Sequence, residues 1–177
     1  MEIKKVQMSK SSKPTSRFAS IMVAVSVITL SLLNTGRVYA YDEMSHGVNN
    51  VDATGVGLHG YDPVAYFTVG KPTAGSEKFQ ATYDGVRYRF SSAENRDAFT
   101  KEPTKYVPAY GGFCAMGASL GKKFDGDPNY WKIVNGKLYV NVNADVDKHW
   151  KEDVPANISK GDQNWPAIKD KTPKELL

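Results

Sequence analysis

The sequence predicts a small α+β domain made of two antiparallel β-hairpins with short helices at their flanks. Two stretches of alternating apolar and polar residues, 79–90 and 131–142, are each interrupted by a two-residue turn signal, Asp84-Gly85 and Asn135-Gly136. A helix-capping residue follows each pair of strands, at Ser91 and at Asn143. One cysteine in 177 residues leaves no internal disulfide, so hydrophobic burial has to hold the fold.

The first forty residues read as a leader. Met1 to Phe18 is polar and basic, Ala19 to Leu33 is an uncharged run of 15 residues, and Val38 and Ala40 stand three and one before a cleavage point. This is the three-part pattern of a secretory signal peptide, and the apolar run falls short of the roughly 20 residues a spanning helix needs. The expected product is a secreted or periplasmic protein cleaved after Ala40, with no stable membrane span. The leader also accounts for the basic pI of about 9.0. Residues 1–40 hold Lys4, Lys5, Lys10, Lys13, Arg17 and Arg37 against Glu2, which leaves 17 basic (23 minus 6) and 18 acidic (19 minus 1) side chains for residues 41–177. A net charge near zero does not neutralise a phosphate backbone, so no nucleic-acid partner is expected.

Residues 41–57, rich in Gly, Asn and Asp, read as an irregular lead-in. In the first hairpin an Asp-Gly turn pairs Tyr83 with Val86, Ala81 with Tyr88 and Phe79 with Phe90 on one apolar face, with Gln80, Thr82, Arg87 and Arg89 on the wet face. Ser91 with Glu94 fits a capping box opening a helix that runs to Lys101 and stops before Pro103. In the second hairpin Ile133 faces Leu138 and Trp131 faces Val140, with Lys132 and Tyr139 on the opposite, wet side. Asn143 caps a helix that places Val146 and Trp150 on one stripe and ends before Pro155. A short segment, 158–165, packs back, and residues 167–177 read as a polar, fraying tail. No repeat of architectural period is expected, because the two hairpins have unlike flanks.

Gly60-Tyr61-Asp62-Pro63-Val64-Ala65-Tyr66-Phe67, the first hairpin, Tyr88-Arg89-Phe90-Ser91-Ser92, and Phe99 with Glu102-Pro103-Thr104-Lys105-Tyr106 together resemble the YHS domain family. That short module is named for a Tyr, a His and a Ser, and occurs beside copper pumps and in multicomponent hydroxylases. The resemblance covers Leu58 to Tyr110, within a domain expected to span 58–166 with its C-terminal extension, and the flanks resemble secreted stand-alone members. It implies a hairpin-plus-helix unit. Many members place a cysteine where Ala65 stands, and a cysteine or histidine where Ser91 stands. Tyr88 and Ser92 keep the Tyr and Ser of the name while the His is gone, so the resemblance carries no metal ligands onto this chain.

Soft-ligand chemistry therefore falls to Cys114, in the Gly-rich stretch Gly111-Gly112-Phe113-Cys114, and His59, in the turn Leu58-His59-Gly60. Thiolate, imidazole and thioether favour copper(I) over calcium or magnesium, which brings in Met116 as a neighbour. The two stretches are expected to meet beside the first hairpin, bordered by Tyr61, Asp62, Tyr66 and Tyr88; Asp62 has a second expected job, capping the segment that Pro63 opens. His46 beside Met44, and His149, read as unspecific. Asp125-Gly126-Asp127-Pro128 lacks the spacing and bidentate Glu of a calcium loop and reads as a turn. The leading expectation is an extracytoplasmic binding module, with copper the candidate ligand through Cys114 and His59. The alternatives are a thiol-dependent enzyme or redox protein using Cys114, and a structural or protein-interaction domain.

Overall fold

In the computed structural model, which describes residues 47–176, each turn signal closes a hairpin. β1 (Ser76–Tyr83) pairs antiparallel with β2 (Val86–Phe90), and β3 (Asp127–Val134) with β4 (Lys137–Asn141), in two separate sheets. The leader with its cleavage point, and Met44 and His46, lie outside the described residues. Asp84 and Gly85 take φ values of 49° and 76°, and Asn135 and Gly136 50° and 75°, the left-handed pair that Asn, Asp and Gly tolerate in a two-residue turn.

The first hairpin holds Tyr83 opposite Val86 and Ala81 opposite Tyr88, as expected. Phe90, however, faces Ser76 rather than Phe79, because a bulge between Ser76 and Gln80 shifts the register. The second hairpin pairs Trp131 with Val140 and Ile133 with Leu138. Its other face is only half wet: Lys132 is exposed, but Tyr139 opposite it is buried, because a helix covers that side of β4.

That helix is α5 (Ala144–Glu152), capped by Asn143 Oδ1 accepting from Val146 N at 3.0 Å, and it drives Trp150 into the core. Preceding it in the chain are α1 (Ala65–Thr68), α2 (Ala93–Lys101), α3 (Pro103–Tyr106) and α4 (Ala115–Ser119). The cap of α2 is Ser92, whose Oγ accepts from Asn95 N at 3.2 Å. Ser91, expected in that role, is turned toward Asp62 instead. Pro103 opens α3 as well as ending α2, since a helix start needs no N–H from its first residue. The segment expected over 158–165 is the middle part of a longer helix, α6 (Val154–Ile168).

The tail does not fray. Lys123, almost fully buried, donates from Nζ to the carbonyls of Gly47, Lys169 and Lys171 and lies over the Phe113 and Trp165 rings. Burial pushes its ammonium down to about 8, against the pull of Asp170 and Glu175. Thr172 is buried, and its hydroxyl donates to Glu175 Oε2. Among the described residues no helix is long and apolar enough to cross a membrane.

Contrary to the expectation of no repeat, the element order occurs twice. A 3-10 turn, short helix, hairpin and two helices run from Leu58–Gly60 to α3, and again from Ala109–Gly112 to α6. Corresponding elements sit 51 positions apart: Ser76 and Asp127 open the first strands (127 minus 76), and Ala93 and Ala144 open the capped helices (144 minus 93). The bulge recurs, between Asp127 and Trp131, and so does the cap, Ser92 matching Asn143. Phe99 and Trp150, equivalent in this register, are the large buried side chains of α2 and α5. Each half has its own core. The first centres on Val64, Val86, Tyr88, Phe90 and Phe99, the second on Tyr110, Ala118, Tyr139 and Trp150. A third cluster joins them, with Leu58 and Tyr66 from one half against Leu138 and Val140 from the other. There Tyr66 meets the Trp131 ring edge-on at 5.0 Å and donates its hydroxyl to the Pro128 carbonyl.

A candidate cleft between the two halves

The 3-10 turn Leu58–Gly60 presents His59 from the first half toward Asp125, just ahead of β3 in the second. His59 itself takes φ of 50°, so its ring leaves the turn in a direction ordinary helical backbone would not give. Its Nε2 lies 2.8 Å from Asp125 Oδ1, the same oxygen that accepts from Asn50 Nδ2 at 2.6 Å. The hydrogen bond to Asp125 raises the His59 pKa, with partial burial opposing and the charges of Asp125, Asp127 and Asp52 adding to the rise.

This pair borders a cleft of about 340 Å³. Tyr61 stands beside His59, Asp127 and Asn129 continue the polar rim past Asp125, and Pro128 and Val142 supply apolar wall. Asp127 Oδ1 accepts from the backbone and side-chain nitrogens of Asn129, an Asx turn that fixes the start of β3. The volume falls in the range of small-molecule sites, which combine apolar wall with a few placed polar groups.

Each of the two Gly-rich stretches reaches Asp125, just ahead of the second hairpin, rather than bonding to the other. Asp125 is the meeting point: it forms an isolated antiparallel bridge with Phe113 and bonds the His59 ring. Asn50 fastens the same place by donating to Gly112 O as well as to Asp125. Asp125, read from the sequence as part of a turn, is thus the residue that sequence reasoning missed. Its equivalent in the first half is Ala74, so an acid stands where the other half has a small apolar residue on a similar backbone frame.

Cys114 does not line the cleft. It is completely buried, donates its thiol to Asn141 Oδ1 at 3.6 Å and caps α4 by accepting from Gly117 N at 3.4 Å. Burial pushes the thiol pKa up, against the backbone N–H groups of Gly117, Val142 and Met116. Met116 shares the arrangement through its backbone, donating to the same Asn141 oxygen at 3.0 Å, and its sulfur receives Ser119 Oγ. Soft-metal ligation needs a thiolate and a neutral imidazole. The donor set does not fit, since the thiol is held protonated as a hydrogen-bond donor and the imidazole is biased toward its charged form by Asp125. Among the described residues no group of three or more His, Cys, Asp and Glu is placed to hold a metal ion. The same burial argues against a nucleophile, which needs an accessible, acidified thiol.

Of the other expected lining residues, only Tyr61 reaches the cleft. Tyr66 and Tyr88 are core residues whose hydroxyl pKa values are driven well above the ordinary tyrosine range by burial. Asp62 is a fully buried hub. One oxygen accepts from Val64 N at 2.9 Å and Ala65 N at 3.2 Å, which caps the turn Pro63 opens. The other accepts from Ser91 N, Ser91 Oγ and Asn95 Nδ2, which ties α1 to the end of β2 and the start of α2. Cys114 holds the corresponding place in the second half. Asp62 N donates to Thr73 O as Cys114 N donates to Phe124 O, and both side chains cap the short helix that follows.

Searches of curated proteins and of solved structures returned no match. Residues 64–110 match the family model of the YHS domain, a span running from the residue before α1, past α3, into the second 3-10 turn, and the chain therefore carries a YHS domain over those residues.

Proposed function

We propose that this chain is a non-catalytic binding module that works outside the cytoplasm and takes its ligand in the cleft between the two halves. The observation that carries this reading is the His59–Asp125 pair, which brings an ionisable side chain from each half to the rim of one amphipathic cavity. The leader pattern over residues 1–40 supports export, with Tyr41 as the first residue of the mature chain. N-terminal sequencing of the exported protein tests the second part, and a product that retains Met1 and stays with the cytoplasmic fraction overturns it. The first part is tested by screening small polar compounds against the 15N-labelled protein. Shifts concentrated at Tyr61, Asp125, Asp127 and Val142 are expected. Shifts confined to the far side of either hairpin would remove the cleft from consideration.

A further inference from the structure

Resting on that reading of the cleft, we infer that its ligand is a small organic cation, an amine with an apolar or aromatic body, held by Asp125 and Asp127 against Tyr61. The repeat supplies an internal control. The two halves share element order, bulge and cap position, so a residue the frame itself requires should recur 51 positions away, as the turn glycines Gly85 and Gly136 do. The two acids do not recur. Counting back 51 positions, Asp125 corresponds to Ala74 and Asp127 to Ser76. The second 3-10 turn is one residue longer, so Tyr61 corresponds to Phe113, and an aromatic residue stands there in both halves. The same bulged strand start forms from Gly75-Ser76 without either acid, so the acids are additions to the frame rather than conditions of it.

What they add is unspent acceptor capacity. Asp125 Oδ1 takes both His59 and Asn50, and Asp127 Oδ1 takes both nitrogens of Asn129. Among the described residues no protein donor reaches the Oδ2 atom of either side chain, and the Tyr61 hydroxyl has no protein partner. His59 is the partner of Asp125, which leaves Asp127 as the rim carboxylate with no basic side chain paired to it among the described residues. A metal cation is poorly served, since calcium takes six to eight oxygens and magnesium a near-octahedral set. An ammonium has three donors for two carboxylate oxygens and the tyrosine hydroxyl. The apolar wall of Pro128 and Val142, with the face of Tyr61, suits an organic body attached to it.

The test titrates the 15N-labelled protein at neutral pH with benzylamine, benzyl alcohol and benzoate, three probes of one shape and different charge. Benzylamine is expected to shift the Tyr61, Asp125 and Asp127 amides saturably, and its affinity is expected to fall about tenfold in Asp127→Asn, an isosteric change that keeps the Asn129 turn. The same spectra show whether the variant is folded. Benzyl alcohol or benzoate binding as well as benzylamine overturns the cation while leaving the cleft as a site. Benzylamine shifts that Asp127→Asn leaves unchanged overturn the role of the carboxylate. If none of the three probes moves these amides, both the cation and the cleft reading fall.

Discussion

The His59 ring and the Asp125 carboxylate, 2.8 Å apart, belong to different halves of the fold, so the protonation of one imidazole bears directly on how the halves are held together. Asp125 is also bonded by Asn50 and bridged to Phe113. The contact is therefore anchored from three separate segments.

A pH dependence follows. The folded-state pKa of His59 is raised, chiefly by its hydrogen bond to Asp125. Stabilisation from the charged ring is then fully present below the unfolded value of about 6.5 and is lost as pH rises through the higher folded value. The urea midpoint is expected to fall as pH is taken from slightly acid to slightly alkaline, and Asp125→Asn to flatten that fall. Equal slopes in the two proteins would show that the pair contributes nothing to stability.

Asp62 is expected to be the most sensitive polar position of the first half. Asp62→Asn places an amide against five donors, and the loss is expected to be about 3 kcal/mol in equilibrium unfolding. Cys114→Ser, at the corresponding place in the second half, keeps a capping oxygen and is expected to cost about 1–2 kcal/mol. A larger loss at Cys114 than at Asp62 would contradict this ordering.

Trp150 is fully buried, and its indole N–H has no hydrogen-bond partner among the described residues. Its equivalent in the first half is Phe99. Trp150→Phe removes an orphan donor that costs about 1–3 kcal/mol to bury, which offsets the area lost, so a net change within about 1 kcal/mol is expected. Trp150→Ala opens a cavity and is expected to cost about 3–5 kcal/mol. Thermal melts of the two variants separate the cases, and similar large losses in both would mean the indole N–H is satisfied.

Two glycines should fail in parallel. A Cβ on Gly75 would stand 2.5 Å from the Arg89 carbonyl carbon, and one on Gly126 2.4 Å from the Gly112 oxygen and 2.5 Å from Val140, the residue equivalent to Arg89. Alanine at either position forces backbone apart and is expected to cost about 1–3 kcal/mol. Denaturant midpoints unchanged at one position and lowered at the other would break the equivalence of the halves.

Copper(I) affinity is expected to be no better than micromolar, and equal in the parent and in Cys114→Ala. Competition against a chelator measures it. A tight site lost in the variant would mean the thiol leaves Asn141 and deprotonates on binding.

Both hairpins were legible because Asp84-Gly85 and Asn135-Gly136 impose a local geometry that neighbouring strands must follow, and Asn143 was legible because capping is equally local. The Phe79–Phe90 pairing failed at a bulge, where the register depends on how Gly75 packs on Arg89 rather than on alternation. The choice between Ser91 and Ser92 as cap was made by a distant residue, Asp62. The repeat escaped notice because the halves share backbone demands more than side chains. At a spacing of 51 the coincident residues are mainly glycines, Gly60 with Gly111, Gly70 with Gly121, Gly75 with Gly126 and Gly85 with Gly136, and that coincidence was the available signal. Lys123 was illegible for a different reason: its acceptors are main-chain carbonyls, which no sequence displays.

The doubling of the unit within one chain has a consequence for what each surface is allowed to become. Two identical separate chains meeting about a twofold axis must present the same patch to one another, so any substitution is made twice and must suit both sides. Joined by the two residues between α3 and the second 3-10 turn, Val107 and Pro108, the halves meet by an intramolecular encounter whose effective concentration does not depend on expression level. Each side of the seam is then free to change alone. One flank can keep the tyrosines and aliphatics that hold the pair together while the other accumulates charge, and an asymmetric pocket can arise without any loss of association.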